Sequence, residues 1–326
     1  MTLIVPSSLL TSIAFNGPPG QHCSPQQAIP ASVPKATSVE FSIVISAYNE
    51  AGSIGPLLES ICAASYGKHR LREVLVYDDA STDATASIVA AQAASFPVIA
   101  LIRGERRVGC APAAERLYRA ARGDAVVRVN ADTAVDAGAI ERLVDAIDAG
   151  VAIAIGATEP VPGPVTMASL ASRFSYDVVA RLKAGPYRHH YAVGQFVAYR
   201  SDLLRTVQIP ADLINDDHFV AARIVAQGGV VVNVPEARCR LKPSATAIDY
   251  WRTSRRVLEG ERQLRRRYGI GSAPLTAKLG AIAASALHKP LGGLCWSVMY
   301  CWSSMQKSPT VDSAWPMAES TKGLIG

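Results

Sequence analysis

No C-x-x-C pair occurs in this 326-residue chain, and its six cysteines (Cys23, Cys62, Cys110, Cys239, Cys295, Cys301) lack nearby histidines at zinc-ligand spacing. A disulfide framework and a structural zinc site are thereby excluded as organising devices, and reduced thiols in a cytosolic setting are expected. No Lys or Arg precedes the apolar start MTLIVPSSLLTSIAF, and Pro6 interrupts it, so the charged head of a secretory signal is missing. The basic stretch near residues 255–267 has no interleaved aromatics and matches no nucleic-acid motif, which leaves its charge to phosphate or lipid. With 49% hydrophobic residues and a net charge of +6, the chain is not a disordered one.

What is present has a βαβ rhythm. Residues 17–38 are rich in Pro, Ser and Gln, and residues 1–38 are expected to form a disordered extension before a domain that begins at Val39. FSIVIS (41–46), EVLVYD (73–78), VIALIR (98–103) and AVVRVN (125–130) are strand runs separated by helical stretches near 53–64, 83–94 and 111–121. Runs apolar on nearly every residue imply strands covered on both faces, hence a parallel α/β sheet. Further helices are expected over 166–183 and 214–229, and a strand over 230–237.

In open parallel sheets ligands bind beyond the carboxyl ends of the strands. Those tips are AYNE (47–50), DDAST (78–82), RGERR (103–107) and NAD (130–132). They would gather Glu50, Asp78, Asp79, Asn130 and Asp132 in one cleft, where the carboxylates repel unless a cation or hydrogen-bond donor sits among them. Taken singly, each motif has a plainer structural reading. DDASTDAT offers helix N-caps, NDDHF (215–219) an acidic helix start, and the histidines of 189–190 and 218 surface or cleft positions.

Taken in order, VISAYNEAGSI, VYDDASTDAT, GDAVVRVNADTAV, NDDHF and RTSRRVLEG resemble family 2 glycosyltransferases across residues 41–268. The resemblance implies an α/β GT-A fold, a Rossmann-like and mostly parallel sheet flanked by helices, and inverting transfer from a nucleotide-sugar donor. By position it assigns Ala47, Tyr48, Asn49 and Glu50 to the cradle of base and ribose, Asp79, beside Asp78, to base recognition, and Asp132 to a Mg²⁺ or Mn²⁺ ion. Asn130 and Ala131 complete the metal motif. Asn130 replaces its usual first aspartate, which implies a working site with weaker metal affinity. Asp217 matches the catalytic base, with Asp216 in place of the usual glutamate, and Gly194, Gln195 and His218 fall on the acceptor side. Arg252, Arg255 and Arg256 fall where polymer synthases carry Q-x-x-R-W. Cys110 stands where relatives often have lysine, so the diphosphate contact passes to Arg106 or Arg107.

The chemistry needs such groups. Cleaving a sugar–diphosphate bond builds charge that a divalent cation neutralises, an acceptor hydroxyl needs a carboxylate to take its proton, and arginine grips phosphate bidentately. A nucleotidyltransferase would be expected to carry a Gly-rich basic loop after the first strand, where AYNEAGS is acidic. A decayed scaffold would not be expected to retain Asp79, Asp132 and Asp217.

After residue 268 two apolar stretches, split by His288, Lys289 and Pro290, are each too short to span a bilayer. Trp296, Tyr300 and Trp302 suit a headgroup boundary. Residues 269–326 are therefore expected to form amphipathic helices that attach peripherally to the inner face of the cell membrane, or pack on the domain or on a second copy. A lipid-linked or sugar acceptor, and no nucleic-acid partner, follow.

Overall fold

The computed structural model describes residues 38–191, 195–305 and 321–322. The expected N-terminal extension, apart from Ser38, lies outside the described residues, as does Gly194. Strands β1 (Glu40–Ala47), β2 (Arg70–Asp78), β3 (Ile99–Arg103) and β4 (Ala125–Val129) lie in the order β3-β2-β1-β4, all parallel. Helices α1 (Ile54–Ala63), α2 (Thr85–Ser95) and α3 (Cys110–Ala120) connect them. The period of two along β1 divides its side chains between two cores. Phe41, Ile43 and Ile45 pack with Leu58 and Ile61 of α1, while Val44 packs with Leu75, Tyr77 and Leu117 on the other face. Burial on both faces is why these strands read as unbroken apolar runs.

The second half completes one eight-stranded sheet. It contains β5 (Thr133–Val135), α4 (Ala139–Asp148), β6 (Ile153–Pro160), α5 (Met167–Ala184), a 3₁₀ turn (Arg188–Tyr191), β7 (Phe196–Arg200) and α6 (Ser201–Leu204). These are followed by α7 (Asp216–Ala226), β8 (Val231–Leu241), α8 (Ala247–Tyr268), α9 (Leu275–His288) and α10 (Pro290–Met305). The strand order is β3-β2-β1-β4-β7-β6-β8-β5. β7 runs antiparallel to β4 and β6, β8 runs parallel to β6, and β5 is antiparallel to β8. The sheet is thus mostly parallel, with β7 reversed at its middle. β8 runs to Leu241, beyond the expected end at 237, because the register shift between Gly156 and Ala157 lets its second half re-pair with β6.

Pro290 starts a new helix where the sequence breaks, and α10 folds back on α5. Phe174 and Trp296 meet with ring centroids 5.7 Å apart, and Ala168, Ala171, Tyr250, Cys295 and Met299 are buried together. Among the described residues no helix is long and apolar enough to cross a membrane. α8 passes so close to the start of α7 that a Cβ at Gly260 would lie 2.3 Å from the side chain of Asn215. Glycine at that crossing lets the arginine-bearing helix lie beside the acidic one.

Candidate active site

Side-chain bonds to backbone fasten the tip of β1 to the turn after β2. Asn49 N–H donates to Ser81 Oγ (2.9 Å), Thr82 N–H donates to Asn49 Oδ1 (2.8 Å), Glu50 N–H donates to Thr85 Oγ1 (2.7 Å) and Ala51 N–H donates to Asp83 Oδ2 (3.1 Å). Asn49 and Ala80 hold positive φ, 54° and 58°. Asn tolerates that region and alanine does so rarely, so the turn is held by its neighbours. DDASTDAT therefore makes turn contacts to the β1 tip, whereas the helix that follows has Ala84 at its N-cap and no side-chain cap bond.

The two aspartates of this turn differ. Asp79 receives Val108 N–H at Oδ1 (2.7 Å) and Gly109 N–H at Oδ2 (2.9 Å), so its carboxylate anchors the start of α3, where Gly109 needs φ of 88°. Asp79, assigned to the base by the resemblance, thus accepts one backbone N–H at each oxygen, which leaves each oxygen one further lone pair. Asp78 is fully buried, takes Ser81 N–H at Oδ1 (3.2 Å), and has an Oδ2 without a hydrogen-bond partner, 3.9 Å from Arg103 Nε. The oxygen of the pair that accepts no hydrogen bond belongs to Asp78.

Glu50 is buried, and burial pushes its carboxyl up to about 7. Asp132 adds to the shift, while Lys322 and a 3.0 Å bond from Ser53 Oγ oppose it. Arg107 lies over the Tyr48 ring, 4.0 Å from its centroid. Lys322, which nothing in the sequence singles out, reaches the same tip and donates to Tyr48 O and Asn49 O.

At the end of β4, Asn130 N–H donates to Gln195 O (3.1 Å), and Asn130 O accepts from Thr133 Oγ1 (2.7 Å), so the 130–132 turn is tied to the residue that precedes β7. Ala131 is buried and Asp132 is half-buried. Burial raises the Asp132 carboxyl, and Arg256 and Lys322 pull it down. Among the described residues no three His, Cys, Asp or Glu side chains converge to hold a metal ion. A lone carboxylate with an amide oxygen nearby fits a cation such as Mg²⁺ or Mn²⁺, which takes few protein ligands and completes its shell with phosphate oxygens and water.

The start of α7 separates the other carboxylate pair. Asp216 is buried and takes Arg128 Nη1 at 2.5 Å, and the same Nη1 lies 3.3 Å from Tyr118 Oη. Burial alone would lower the Arg128 pKa, but Asp216, joined by Tyr118, Asp217 and Tyr199, more than offsets this and holds the guanidinium charged. Asp217 is half-exposed and accepts His218 N–H at Oδ1 (2.7 Å). Of the two, Asp216 is committed to an internal ion pair and Asp217 is the more exposed. His218 Nε2 lies 3.3 Å from His190 Nδ1, and burial lowers the two rings to about 4 and about 3, so both are neutral at pH 7.

The first three arginines of α8 also part company. Arg256 acts electrostatically on Asp132 and on Cys110, and Cys110 in turn feels Asp216, Arg128 and Asp79. Arg255 is buried and bonded to Glu259 (3.3 Å), and Arg252 pairs with Asp249 (3.4 Å). Gln195 Nε2 reaches Tyr176 Oη at 3.4 Å, which places it beside α5. Sequence reasoning missed Arg128, Lys183 and Lys322. Arg128 had a signal, since a lone charge inside the apolar strand AVVRV needs a buried partner. Lys183 donates to Gly156 O (3.2 Å) from a buried position.

Residues 42–208, just over half of the chain, match the family model described as Glycosyl transferase family 2. A 133-residue stretch is 35% identical to glycosyltransferase AglD of Haloferax volcanii, covering 39% of this chain and 20% of that protein. A 126-residue stretch is 32% identical to dolichyl-phosphate beta-glucosyltransferase ALG5C of Trichomonas vaginalis, covering 37% of each. Another of 111 residues is 34% identical to the undecaprenyl-phosphate 4-deoxy-4-formamido-L-arabinose transferase of Edwardsiella ictaluri, covering 33% of this chain and 34% of that protein. The matched stretches thus span about a fifth to just over a third of these relatives. In fold, the chain is similar to mannosyltransferase PcManGT from Pyrobaculum calidifontis, solved with GDP-Man and Mn²⁺, with a TM-score of 0.54 and 21% identity over 87% of this chain and 80% of that one.

Proposed function

This glycosyltransferase chain belongs to glycosyl transferase family 2, and we propose that it transfers a sugar from a nucleotide-diphosphate donor to a lipid-linked acceptor by a single inverting displacement. The observation that carries this reading is the division of the two acidic pairs. Asp132 stands at the tip of β4, where the charge of Arg256 acts on it, and Asp217 stands at the start of α7, while Asp79 holds backbone N–H groups and Asp216 holds Arg128. The β1 tip, with Tyr48, Asn49 and Glu50, takes the nucleoside. Asp132 and the amide oxygen of Asn130 would hold Mg²⁺ or Mn²⁺, which when bound supplies charge neutralisation to the departing diphosphate. Arg256 and Arg107 would grip the phosphates. Asp217 takes the proton of an acceptor hydroxyl, whose own pKa is far too high to lose it unaided.

A lipid-linked acceptor is supported by a second feature. A cavity of about 660 Å³ between α5 and the start of α10 is lined by Leu170, Phe174, Tyr176 and Leu291, with Arg173 and Lys289 in its wall. Tyr176 links it through Gln195 to the turn at Asn130. The outer face of α10 presents Leu291, Leu294, Val298, Trp302 and Met305, and we propose that it rests on the membrane surface.

The names of two relatives favour another nucleophile, since they act on dolichyl phosphate and undecaprenyl phosphate. A phosphate oxygen is already ionised at neutral pH and needs no strong base. The test is transfer by wild type and Asp217→Asn to a polyprenyl phosphate and to a lipid-linked sugar. A fall in kcat of about 10²–10⁴ with the sugar acceptor supports base catalysis at Asp217. Efficient transfer to the phosphate alone, with Asp217→Asn nearly as active, moves the assignment to the phosphate nucleophile. Transfer to neither acceptor from any nucleotide sugar refutes the lipid-linked reading.

A further inference from the structure

Lys322 stands 274 positions along the chain from Tyr48, and yet its ammonium is seated on the tip of β1. Nζ donates to Tyr48 O and to Asn49 O, each at 2.7 Å, and lies 3.3 Å from Glu50 Oε1. An ammonium has three N–H bonds, and these three acceptors use them all. The side chain is only 13% exposed, and the ring of Tyr48, already covered by Arg107, lies 5.7 Å from Nζ.

Two main-chain carbonyls and the ionised Glu50 carboxylate form a set of acceptors. Ligand groups that match it are hydroxyls, ring N–H groups or amines, and phosphate oxygens do not. The set lies at the carboxyl end of a central parallel strand, where ligands of open α/β sheets are bound. A nucleoside, with ribose hydroxyls and base N–H groups, presents the donors this set requires, and in the free protein Lys322 presents them instead.

Resting on the donor-site reading above, we propose that Lys322 is a tethered occupant of the nucleoside seat, so that nucleotide and Lys322 exclude one another at the tip of β1. Lys322 also compensates charge there. Its field acts on Glu50, Asp132 and Asp83, so its departure leaves these carboxylates without that cation. A ligand that displaces it must replace three hydrogen bonds and a positive charge. A nucleotide accompanied by a divalent cation does both, whereas a bare nucleoside replaces only the bonds.

The experiment uses the full chain and two readouts. Amine acetylation followed by mass spectrometry reports access to Lys322 against the more exposed Lys68, and calorimetry reports binding of UDP, GDP, CDP and dTDP, each with Mn²⁺. Lys322 is expected to be protected in the free protein and to be acetylated at least about fivefold faster once a nucleotide binds, with Lys68 unchanged. Lys322→Ala is expected to bind that nucleotide about tenfold more tightly than wild type, and Lys322→Gln to fall between them. Acetylation that slows on nucleotide addition, or Lys322→Ala binding with equal or lower affinity, overturns the proposal and leaves the donor site standing. Binding of no nucleotide by either chain overturns the donor site itself, and this proposal with it.

Discussion

Arg128, the next-to-last residue of β4, places its Nη1 2.5 Å from Asp216 Oδ2, with both side chains at least nine-tenths buried. The pair decides which member of the Asp216–Asp217 step can meet a ligand, because a carboxylate locked to an internal guanidinium does not accept a substrate proton. Removing one partner strands the other as an uncompensated buried charge. Arg128→Met alone, or Asp216→Leu alone, is therefore expected to destabilise the fold by about 3–5 kcal/mol in urea unfolding at pH 7. The double variant is expected to lose less than either single one. Equal loss by all three would mean that packing, and not charge pairing, holds these side chains.

Asn130 lies two residues before Asp132 in the turn after β4. An aspartate there would add a second negative charge beside a cation while keeping an oxygen of similar reach. Asn130→Asp is expected to lower the Mn²⁺ concentration needed for half-maximal nucleotide binding by about tenfold, an interaction of about 1.4 kcal/mol. Calorimetric titration of nucleotide across a Mn²⁺ series measures it. An unchanged midpoint would place the cation away from residue 130.

Lys183 is buried, and burial lowers its ammonium from 10.5 to about 8, with Cys239 and Asp217 acting in the opposite direction. Below pH 8 folded and unfolded chains both carry the proton, and the folded state bears the whole cost of the buried charge. Between pH 8 and 10.5 the unfolded chain keeps a proton that the folded chain has lost, so this group's contribution to stability rises with pH across that window. At about 1.4 kcal/mol per pH unit the cost at pH 7 is about 3 kcal/mol. Lys183→Met should therefore raise Tm at pH 7, less whatever the lost bond to Gly156 O contributes, and the gain should vanish by pH 10.5. A gain that persists at high pH would come from packing instead.

The parallel half of the fold was legible because β1 to β4 are apolar on both faces and their helices begin at recognisable turns. Residues 133–160 were not anticipated. β5 is three residues long, and β6 finds its partners only when β7 and β8 return from elsewhere in the chain. The buried stripe Ile140, Leu143, Val144 and Ile147 did carry the spacing of α4. The strand tips were legible as candidate positions, but the division of labour within each acidic pair depends on partners far away in sequence. Asp79 is bonded to Val108 and Gly109, Asp216 to Arg128, and Glu50 is paired with Lys322. Spacing alone could not reveal these.

The outer stripe of α10 supplies the last test. Leu291, Leu294, Val298, Trp302 and Met305 recur at intervals of three and four, so they share one face, beside the Cys295 and Met299 face that packs on α5. Each apolar side chain that leaves water for the acyl boundary contributes at about 25 cal/mol per Å² of surface buried, so two or three of them can hold a protein at an interface. Leu294→Glu with Val298→Glu replaces two of them with charges that anionic lipid repels. The double variant is expected to lose sedimentation with vesicles of phosphatidylglycerol and phosphatidylethanolamine by at least about tenfold, a loss of about 1.4 kcal/mol or more. Its Tm should stay within a few degrees of wild type, because neither side chain belongs to the buried cluster. Undiminished sedimentation would remove this face as the contact, and a collapse of Tm would show that the stripe is covered within the protein or by a second copy of it.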